Sequence, residues 1–246
     1  TYTLYDQAGR VSARVDGVGA VIEYTYNAAG QLAQEKRYTN LAVTTSWDNG
    51  SAVTKTLVSE IRPEAHASDR SISHVYDAAG RLSASTNDIG LVTMFSYDPS
   101  GLLLETRAGD RVVRYFHDAA GRQLGQLDAE GYLRESIYNA GGQLLRVTRY
   151  EVATSSALRA TGTLDQLRPT AGNNLSTWYY YDVAGRQIGS VDEQQFVTET
   201  VFSEALNTLQ STRYASPYTA VISSTTAFST IRTAVSSTAK QTMIVA

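Results

Sequence analysis

The chain has 246 residues, a net charge of −3 and a pI of about 5.6, so it can bury a sizeable core and has no global attraction for nucleic acid or anionic membranes. It contains no cysteine, which excludes disulfides and thiolate metal sites. No apolar run is long enough for a membrane-spanning helix, so we expect no membrane span. Because the net charge is slightly negative, we also expect no nucleic-acid partner.

A hexapeptide of the form Tyr-Asp-x-x-Gly-Arg recurs along the chain. Neighbouring copies start 20 or 21 residues apart wherever no insert intervenes. A fixed period of this size predicts a repeat architecture. The copies begin at Tyr5, Tyr26, Tyr76, Tyr97, His117, Tyr138 and Tyr181, and a degenerate copy begins at Phe202.

The residue types of each hexapeptide predict a tight turn. An Asp or Asn side chain accepts hydrogen bonds from the following backbone, and Gly adopts the positive φ that a β-carbon disfavours. A second Asp or Asn turn begins six residues after the Arg position, at Asp16, Asn87, Asp128 and Asp192. We predict a structural role in the hexapeptide turns for Tyr5, Asp6, Gly9, Arg10, Tyr26, Asn27, Gly30, Tyr76, Asp77, Gly80, Arg81, Tyr97, Asp98, Gly101, Asp118, Gly121, Arg122, Tyr138, Asn139, Gly142, Tyr181, Asp182, Gly185 and Arg186.

The runs between the turns have the length and composition of β-strands. They are rich in β-branched and aromatic residues, as residues 21–26, 91–97 and 112–116 show. Alternating strands and tight turns predict an all-β fold, an antiparallel β-meander in which each repeat contributes one hairpin. We expect about fifteen to twenty strands, in a strip that is curved or spiralling because large sheets twist.

Three Ser/Thr-rich inserts interrupt the period. Each begins with a Tyr and later contains Ile or Leu followed by Arg, and the apolar spacing before that Arg predicts one short helix or helical turn per insert. The Ser/Thr-rich parts could instead form extended strands, and we favour a mixture of the two. We therefore predict one continuous repeat domain, in which the third insert is truncated before the next strand. The repeats occupy 1–37, 72–149 and 176–213, and the inserts occupy 38–71, 150–175 and 214–246.

Catalytic and metal-binding patterns are weak. The hexapeptide carboxylates could bind calcium, but each turn carries only one and two copies have Asn instead, which favours the turn interpretation. The three histidines have no metal-ligand spacing, and neither a Gly-x-Ser-x-Gly motif nor a cysteine nucleophile occurs. We therefore predict no catalytic residue, no cofactor and no metal, and a protein that is not an enzyme.

The hexapeptides and their period resemble the YD repeats of the RHS (rearrangement hotspot) family, which also occur in the B and C components of insecticidal toxin complexes and in teneurins. The resemblance covers residues 1–31, 76–149 and 176–207. It implies a long antiparallel β-strip that spirals into a hollow shell. Some members carry a self-cleaving core marked by the motif Asp-Pro-x-Gly, and residues 98–101 match this motif. Because these residues lie in phase with the hexapeptides, we predict that they form an ordinary turn.

The resemblance favours a structural section of a secreted or surface-exposed bacterial protein of toxin or adhesin type. The strip would form a β-shell wall that encloses or presents another part of the polypeptide. Because the chain starts within a repeat, we expect it to be part of a longer protein whose flanking repeats, identical subunits or encapsulated cargo are its partners.

Two other functions stay open. Uncovered sheet edges favour assembly into an extracellular filament or sheath, through the edges and the inserts. Exposed Tyr and Arg side chains would suit binding of glycans, although aromatic stripes more often serve packing.

Overall fold

The computed structural model describes residues 1–43, 57–203, 208–237 and 240–245. The Ser/Thr-rich residues 44–56 of the first insert and residues 204–207 of the degenerate copy lie outside this range. The chain divides into two compact units, Thr1–Val112 and Val113–Ala246, and each is described by itself.

The first unit is an antiparallel meander in which each strand pairs with the next, from β1 to β8. A short helix, α1, lies in the insert between β4 and β5. The elements are β1 (Tyr2–Tyr5), β2 (Val11–Val15), β3 (Val21–Tyr26), β4 (Leu32–Arg37), α1 (Val58–Ile61), β5 (Arg70–Tyr76), β6 (Leu82–Thr86), β7 (Val92–Tyr97) and β8 (Leu103–Ala108).

The second unit continues the same pattern from β9, which begins just before the unit boundary, to β17. Its inserts hold a 3₁₀ turn (Ser156–Leu158) and two helices. The elements are β9 (Arg111–His117), β10 (Gln123–Leu127), β11 (Leu133–Tyr138), β12 (Leu144–Arg149), α2 (Leu164–Leu167), β13 (Leu175–Tyr181), β14 (Gln187–Val191), β15 (Val197–Ser203), β16 (Thr208–Tyr214), α3 (Phe228–Val235) and β17 (Lys240–Val245).

Strand pairing continues across every insert. β4 pairs with β5, β12 pairs with β13, and β16 pairs with β17, so the inserts leave the sheet ladder and return to it. The predicted fold class, an all-β antiparallel meander with short helices in its inserts, is confirmed. Within the described ranges, no helix has the length and apolarity needed to cross a membrane.

The C-terminal segment differs from our prediction in one respect. We assigned all of 214–246 to a truncated insert that ends before the next strand, but β17 follows α3 and pairs along its whole length with β16. The reason is compositional: residues 240–245 contain Thr, Ile and Val, β-branched residues that fit a pleated surface.

Buried apolar side chains gather beneath the inserts. The first insert covers Val15 and Val21, the second covers Leu127 and Leu133, and the third covers Val191 and Val197. Each cluster also contains the apolar residue that precedes the insert Arg: Ile61, Leu167 and Ile231. An insert therefore supplies the second layer that one face of the sheet needs to form a core.

Candidate functional site

The hexapeptide turns are built on a carboxylate that bonds the backbone ahead of it. Asp6 Oδ1 accepts the N–H groups of Ala8 and Arg10, both at 2.9 Å, and the Gly9 N–H donates to the Asp6 carbonyl at 3.0 Å. Gly9 adopts a φ of +75°, the region that favours glycine. This network explains the spacing of Asp, Gly and Arg in the repeat.

The other predicted turn residues occupy corresponding places. At Asp98, Oδ1 accepts the Leu102 N–H at 2.8 Å and Gly101 has a φ of +89°, so residues 98–101 form a turn of the same kind. The predicted tyrosines lie in the strand that leads into each turn, at its last residue. Positive φ values are shared by Gly30, Gly80, Gly121, Gly142 and Gly185, and the side-chain oxygen of Asn27, Asp77, Asp118, Asn139 and Asp182 accepts the N–H four residues on.

Where a hexapeptide turn carries an Arg, that Arg links its own repeat to the next one. Arg10 Nε donates to Asp6 Oδ2 at 2.8 Å, and its guanidinium carbon lies 4.3 Å from the centre of the Tyr26 ring. The Tyr26 hydroxyl donates back to the Val11 carbonyl at 2.8 Å. The same stacking joins Arg81 to Tyr97, Arg122 to Tyr138 and Arg186 to Phe202.

These contacts also fix the charge of the turn carboxylates. The Arg10 side chain holds the pKa of Asp6 below its usual range. The backbone N–H of the Arg four residues on is the main cause that lowers the pKa of Asp77, Asp118 and Asp182. Both carboxylate oxygens are thereby engaged, and the described residues contain no cluster of acidic and histidine side chains that could hold a metal.

Two repeats replace the Asp–Arg pair with Asn and Gln, and both directly precede an insert. Asn27 Nδ2 donates to Gln31 Oε1 at 3.0 Å, and Gln31 Nε2 donates to the Gly80 carbonyl at 2.7 Å. Asn139 and Gln143 repeat this arrangement, with Gln143 reaching the Gly185 carbonyl at 2.9 Å. The amide pair thus connects turns on opposite sides of an insert.

Tyrosine hydroxyls make a second connection across the inserts. Tyr76 donates to the Leu32 carbonyl at 2.9 Å, and Tyr181 donates to the Leu144 carbonyl at 3.0 Å. Without an insert, Tyr97 makes the equivalent bond to the Leu82 carbonyl at 2.8 Å. The contact between successive repeats is therefore the same whether or not an insert separates them in sequence.

A second recurring feature, here called the insert clamp, joins a Glu, a Tyr and an Arg. In the first clamp the Tyr38 hydroxyl donates to Glu23 Oε2 at 2.6 Å, and Arg62 Nε donates to the same oxygen at 2.9 Å while Nη2 bonds Oε1. Glu23 and Tyr38 are 9% and 8% exposed. The clamp therefore fastens the end of α1 to a strand through a buried carboxylate.

The clamp recurs in the second unit. Glu135 accepts from the Tyr150 hydroxyl at 2.8 Å and from Arg168 Nε at 3.0 Å. In the third clamp, Glu199 Oε2 accepts from Tyr214 at 2.6 Å, and Arg232 Nε lies 2.6 Å from Oε1. In all three clamps the Glu precedes the Tyr by 15 residues.

Burial and charge set the titration of the clamps. Burial, followed by the neighbouring carboxylate, raises the pKa of Tyr38 and of Tyr150 to about 12. Burial also acts to raise the pKa of Glu23, but the hydrogen bonds from Arg62 and Tyr38 outweigh it and lower that pKa. The carboxylate stays charged and its oxygens are already bonded, which suits a structural strut rather than a proton-transfer group.

A small residue opposite each clamp Glu makes room for the insert. The cross-strand partners of Glu23, Glu135 and Glu199 are Ala13, Gly125 and Gly189. A β-carbon on Gly125 would lie 2.6 Å from Leu164 Cδ1, and one on Gly189 would lie 2.1 Å from Phe228 Cζ. Glycine at these two positions therefore allows α2 and α3 to approach the sheet closely.

Sequence reasoning identified the insert Tyr and Arg but missed the clamp Glu. A single Glu in a predicted strand is normally expected to face solvent. The signal that would have found it is a constant spacing: each Glu lies 15 residues before the insert Tyr and ten residues after a small residue.

The comparisons with known proteins agree with this architecture. The sequence profile of the teneurin YD-shell family matches residues 1–158, whereas no curated protein matches the sequence. The structure of TcdB2-TccC3 without its hypervariable C-terminal region is similar, with a TM-score of 0.57 and 16% identity over 83% of this chain and 9% of that chain.

Two further structures are similar to the same degree. TcdB2-TccC3-Cdc42 gives a TM-score of 0.58 and 15% identity, over 85% of this chain and 10% of that one. The Photorhabdus luminescens Tc holotoxin pore gives a TM-score of 0.57 and 15% identity, over 83% of this chain and 9% of that one. The chain thus spans about a tenth of those chains, and likeness at this identity shows a shared fold. Since the family profile covers more than half of its residues, the chain belongs to the teneurin YD-shell family.

Proposed function

We propose that this chain is a non-enzymatic wall section of a YD-repeat shell, which encloses or presents another part of the same polypeptide. The observation that supports this most directly is the continuity of the repeat contacts. Tyr76 and Tyr181 bond the preceding repeat across an insert as Tyr97 does without one. A strip built in this way can lengthen repeat by repeat while its inserts vary.

The clamps favour a structural role over a chemical one. Each clamp carboxylate accepts hydrogen bonds from a tyrosine and an arginine, and each turn Asp that faces an Arg is engaged on both oxygens. A general acid or base needs an oxygen within reach of substrate and a pKa suited to proton transfer. These carboxylates serve instead as the fixed centres of packing contacts.

The partners and location follow from the same proposal. The titles of the similar structures name a toxin complex and a holotoxin pore, and those words describe those proteins. By analogy we propose that this chain is part of a secreted or surface-exposed bacterial protein of toxin or adhesin type. Its partners would be flanking repeats and an enclosed or presented segment of the same polypeptide.

Negative-stain imaging of the native, uncleaved protein tests this function. Closed or curved hollow particles are expected, together with protection of an internal segment from added protease. Long regular fibres would overturn the shell and support the filament alternative. Solid particles whose segments are all cut at equal rates would argue against enclosure.

A further inference from the structure

A cleft of about 810 Å³ opens in the second unit, between β12, β13 and residues 223–227 of the third insert. Its walls include Arg146, Trp178 and Tyr180, and hydroxyl and amide side chains lie around them. Arg146 and Trp178 are cross-strand partners in the register of β12 and β13, so their side chains rise from the same face of the sheet.

Arg146 brings a positive charge to this cleft. Its guanidinium carbon lies 4.9 Å from the centre of the Trp178 ring, and its buried Nε has no hydrogen-bond partner among the described residues. The acidic residue that lines the cleft, Asp182, is engaged by Arg186 Nε at 2.8 Å. A guanidinium held on an aromatic ring beside an open cleft is well suited to a carboxylate.

Tyr180 adds a second buried group without a partner. Its ring centroid lies 5.3 Å from that of Phe228, and its hydroxyl makes no hydrogen bond within the described part of the chain. Burial, with a smaller effect of Tyr218, raises the pKa of Tyr180 to about 12, so the hydroxyl keeps its proton at neutral pH. Both orphaned groups are therefore donors, and a buried donor without an acceptor costs stability.

The repeat itself does not require this pair. The equivalent cross-strand pair in the first unit, at the same distances from the hexapeptides, consists of Gln34 and Ser73. Gln34 and Ser73 are both uncharged and neither has a ring, whereas Arg146 contributes a charge and Trp178 a large ring. The cleft is a local specialisation of the two strands that flank the second insert, β12 and β13.

The surroundings of the cleft favour a sugar over a peptide. Ser223 Oγ lies 3.0 Å from Thr225 Oγ1, and the Ser223 N–H donates to Thr226 Oγ1 at 2.9 Å, which organises a hydroxyl-rich rim. β12 and β13 are each paired on both sides, so they offer an extended peptide no free strand edge. Side-chain hydroxyls and amides match the hydroxyl groups of a sugar ring.

We propose that this cleft binds an acidic sugar, with the sugar carboxylate on Arg146 and the Tyr180 hydroxyl and its ring hydroxyls facing the Ser/Thr rim. The ligand class is a uronate, free or at the end of a glycan. This site is independent of the shell function, since a wall section could carry it or lack it.

The test uses the native full-length protein and titration calorimetry with glucuronate, glucose, acetate and a blocked aspartate tripeptide. Glucuronate should bind at least about tenfold more tightly than glucose or acetate, because only it combines the charge with the ring hydroxyls. Arg146→Gln should weaken glucuronate binding by about tenfold or more, and Tyr180→Phe by a smaller factor. Circular dichroism confirms that each variant is folded.

Two variants keep the result interpretable. Arg149→Gln removes the same charge from the same strand, but Arg149 pairs with Glu193 and does not line the cleft, so binding should not change. Should Arg146→Gln fail to fold, Arg146→Lys retains the charge without the planar fork and should also bind more weakly. The proposal is overturned if glucuronate does not bind, if Arg146→Gln binds it normally, if acetate binds as well, or if the aspartate peptide binds more tightly and so identifies a protein partner.

Discussion

Two stretches of the first unit share the same repeat but differ in what covers them. Strands β2–β4 lie under the first insert and bury Ala13, Val15 and Val21 almost completely. Strands β5–β8 have no insert, and no residue between 70 and 110 is buried. Both stretches keep the turns and the tyrosine bonds between repeats. The repeat therefore determines the sheet, while the inserts determine where the sheet acquires a core.

Equivalent positions show how the sequence marks a covered face. Glu23 and Met94 both lie three residues before the end of the strand that leads into a hexapeptide turn. Each faces an alanine, Ala13 or Ala84, in the neighbouring strand. Glu23 is buried in a clamp, whereas Met94 is 56% exposed. The identity of one residue thus distinguishes a strand that carries an insert clamp from one that does not.

The largest expected difference comes from one substitution made in both stretches. Val21 and Val92 occupy the same repeat position, yet Val21 is 1% exposed and Val92 is 38% exposed. Val21→Ala should lower the free energy of unfolding by about 2 kcal/mol, through lost transfer energy and a cavity. Val92→Ala loses the same β-propensity but leaves no cavity, so it should lower the free energy of unfolding by less than about 1 kcal/mol. Urea unfolding of both variants measures the difference; equal effects would mean that the insert does not form the core.

The second largest loss of stability is expected at the insert clamp. Tyr150→Phe removes the hydroxyl that bonds the buried Glu135 and leaves the ring in place, so it should cost about 1–2 kcal/mol of unfolding free energy. Tyr132→Phe is the matched control, since Tyr132 is exposed and its hydroxyl takes no part in a clamp. Thermal unfolding of the two variants measures the contrast. A control that loses as much stability as Tyr150→Phe would show that the clamp hydrogen bond contributes nothing specific.

Alkaline pH should weaken the clamped stretches further. The pKa of Tyr38 and Tyr150 is about 12 in the folded chain, against 10.0 for a free phenol. The unfolded state therefore loses these protons first, so the stability that the clamps contribute is complete below pH 10 and is lost as the pH rises toward 12. Denaturant midpoints measured across that window should fall, and the double variant with both residues changed to Phe should fall less steeply. Parallel curves for variant and parent would contradict the raised pKa values.

Local and distant features of the molecule differ in how far the sequence reveals them. The turns were predictable because Asp and Gly act within a few residues of each other. Helices α1 and α2 were predictable because a Pro lies two residues after the end of each one. The clamp Glu was missed because its partner Arg62 lies 39 residues away and depends on the path of the insert, so the sequence signal is its constant 15-residue spacing to the insert Tyr. The cleft beside Arg146 emerges only from the strand register, which places Trp178 opposite it.

The smallest effect concerns the turns, which both stretches share. Asp77 and Arg81 form a charged pair in the uncovered stretch, whereas Asn27 and Gln31 take those places in the repeat before the first insert. Asp77→Asn alone leaves Arg81 facing an amide, and Arg81→Gln alone loses the stacking on Tyr97, so each should lower the thermal midpoint slightly. The double variant restores the amide pair found at Asn27 and should recover the part of the loss that comes from the mismatched pair, although not the stacking on Tyr97. Because the pair is partly exposed, every effect should be smaller than that of Tyr150→Phe and should shrink in high salt. Additive losses in this cycle would mean that the two residues of a turn act independently, and that the Asn–Gln pairs before the inserts carry no compensating bond.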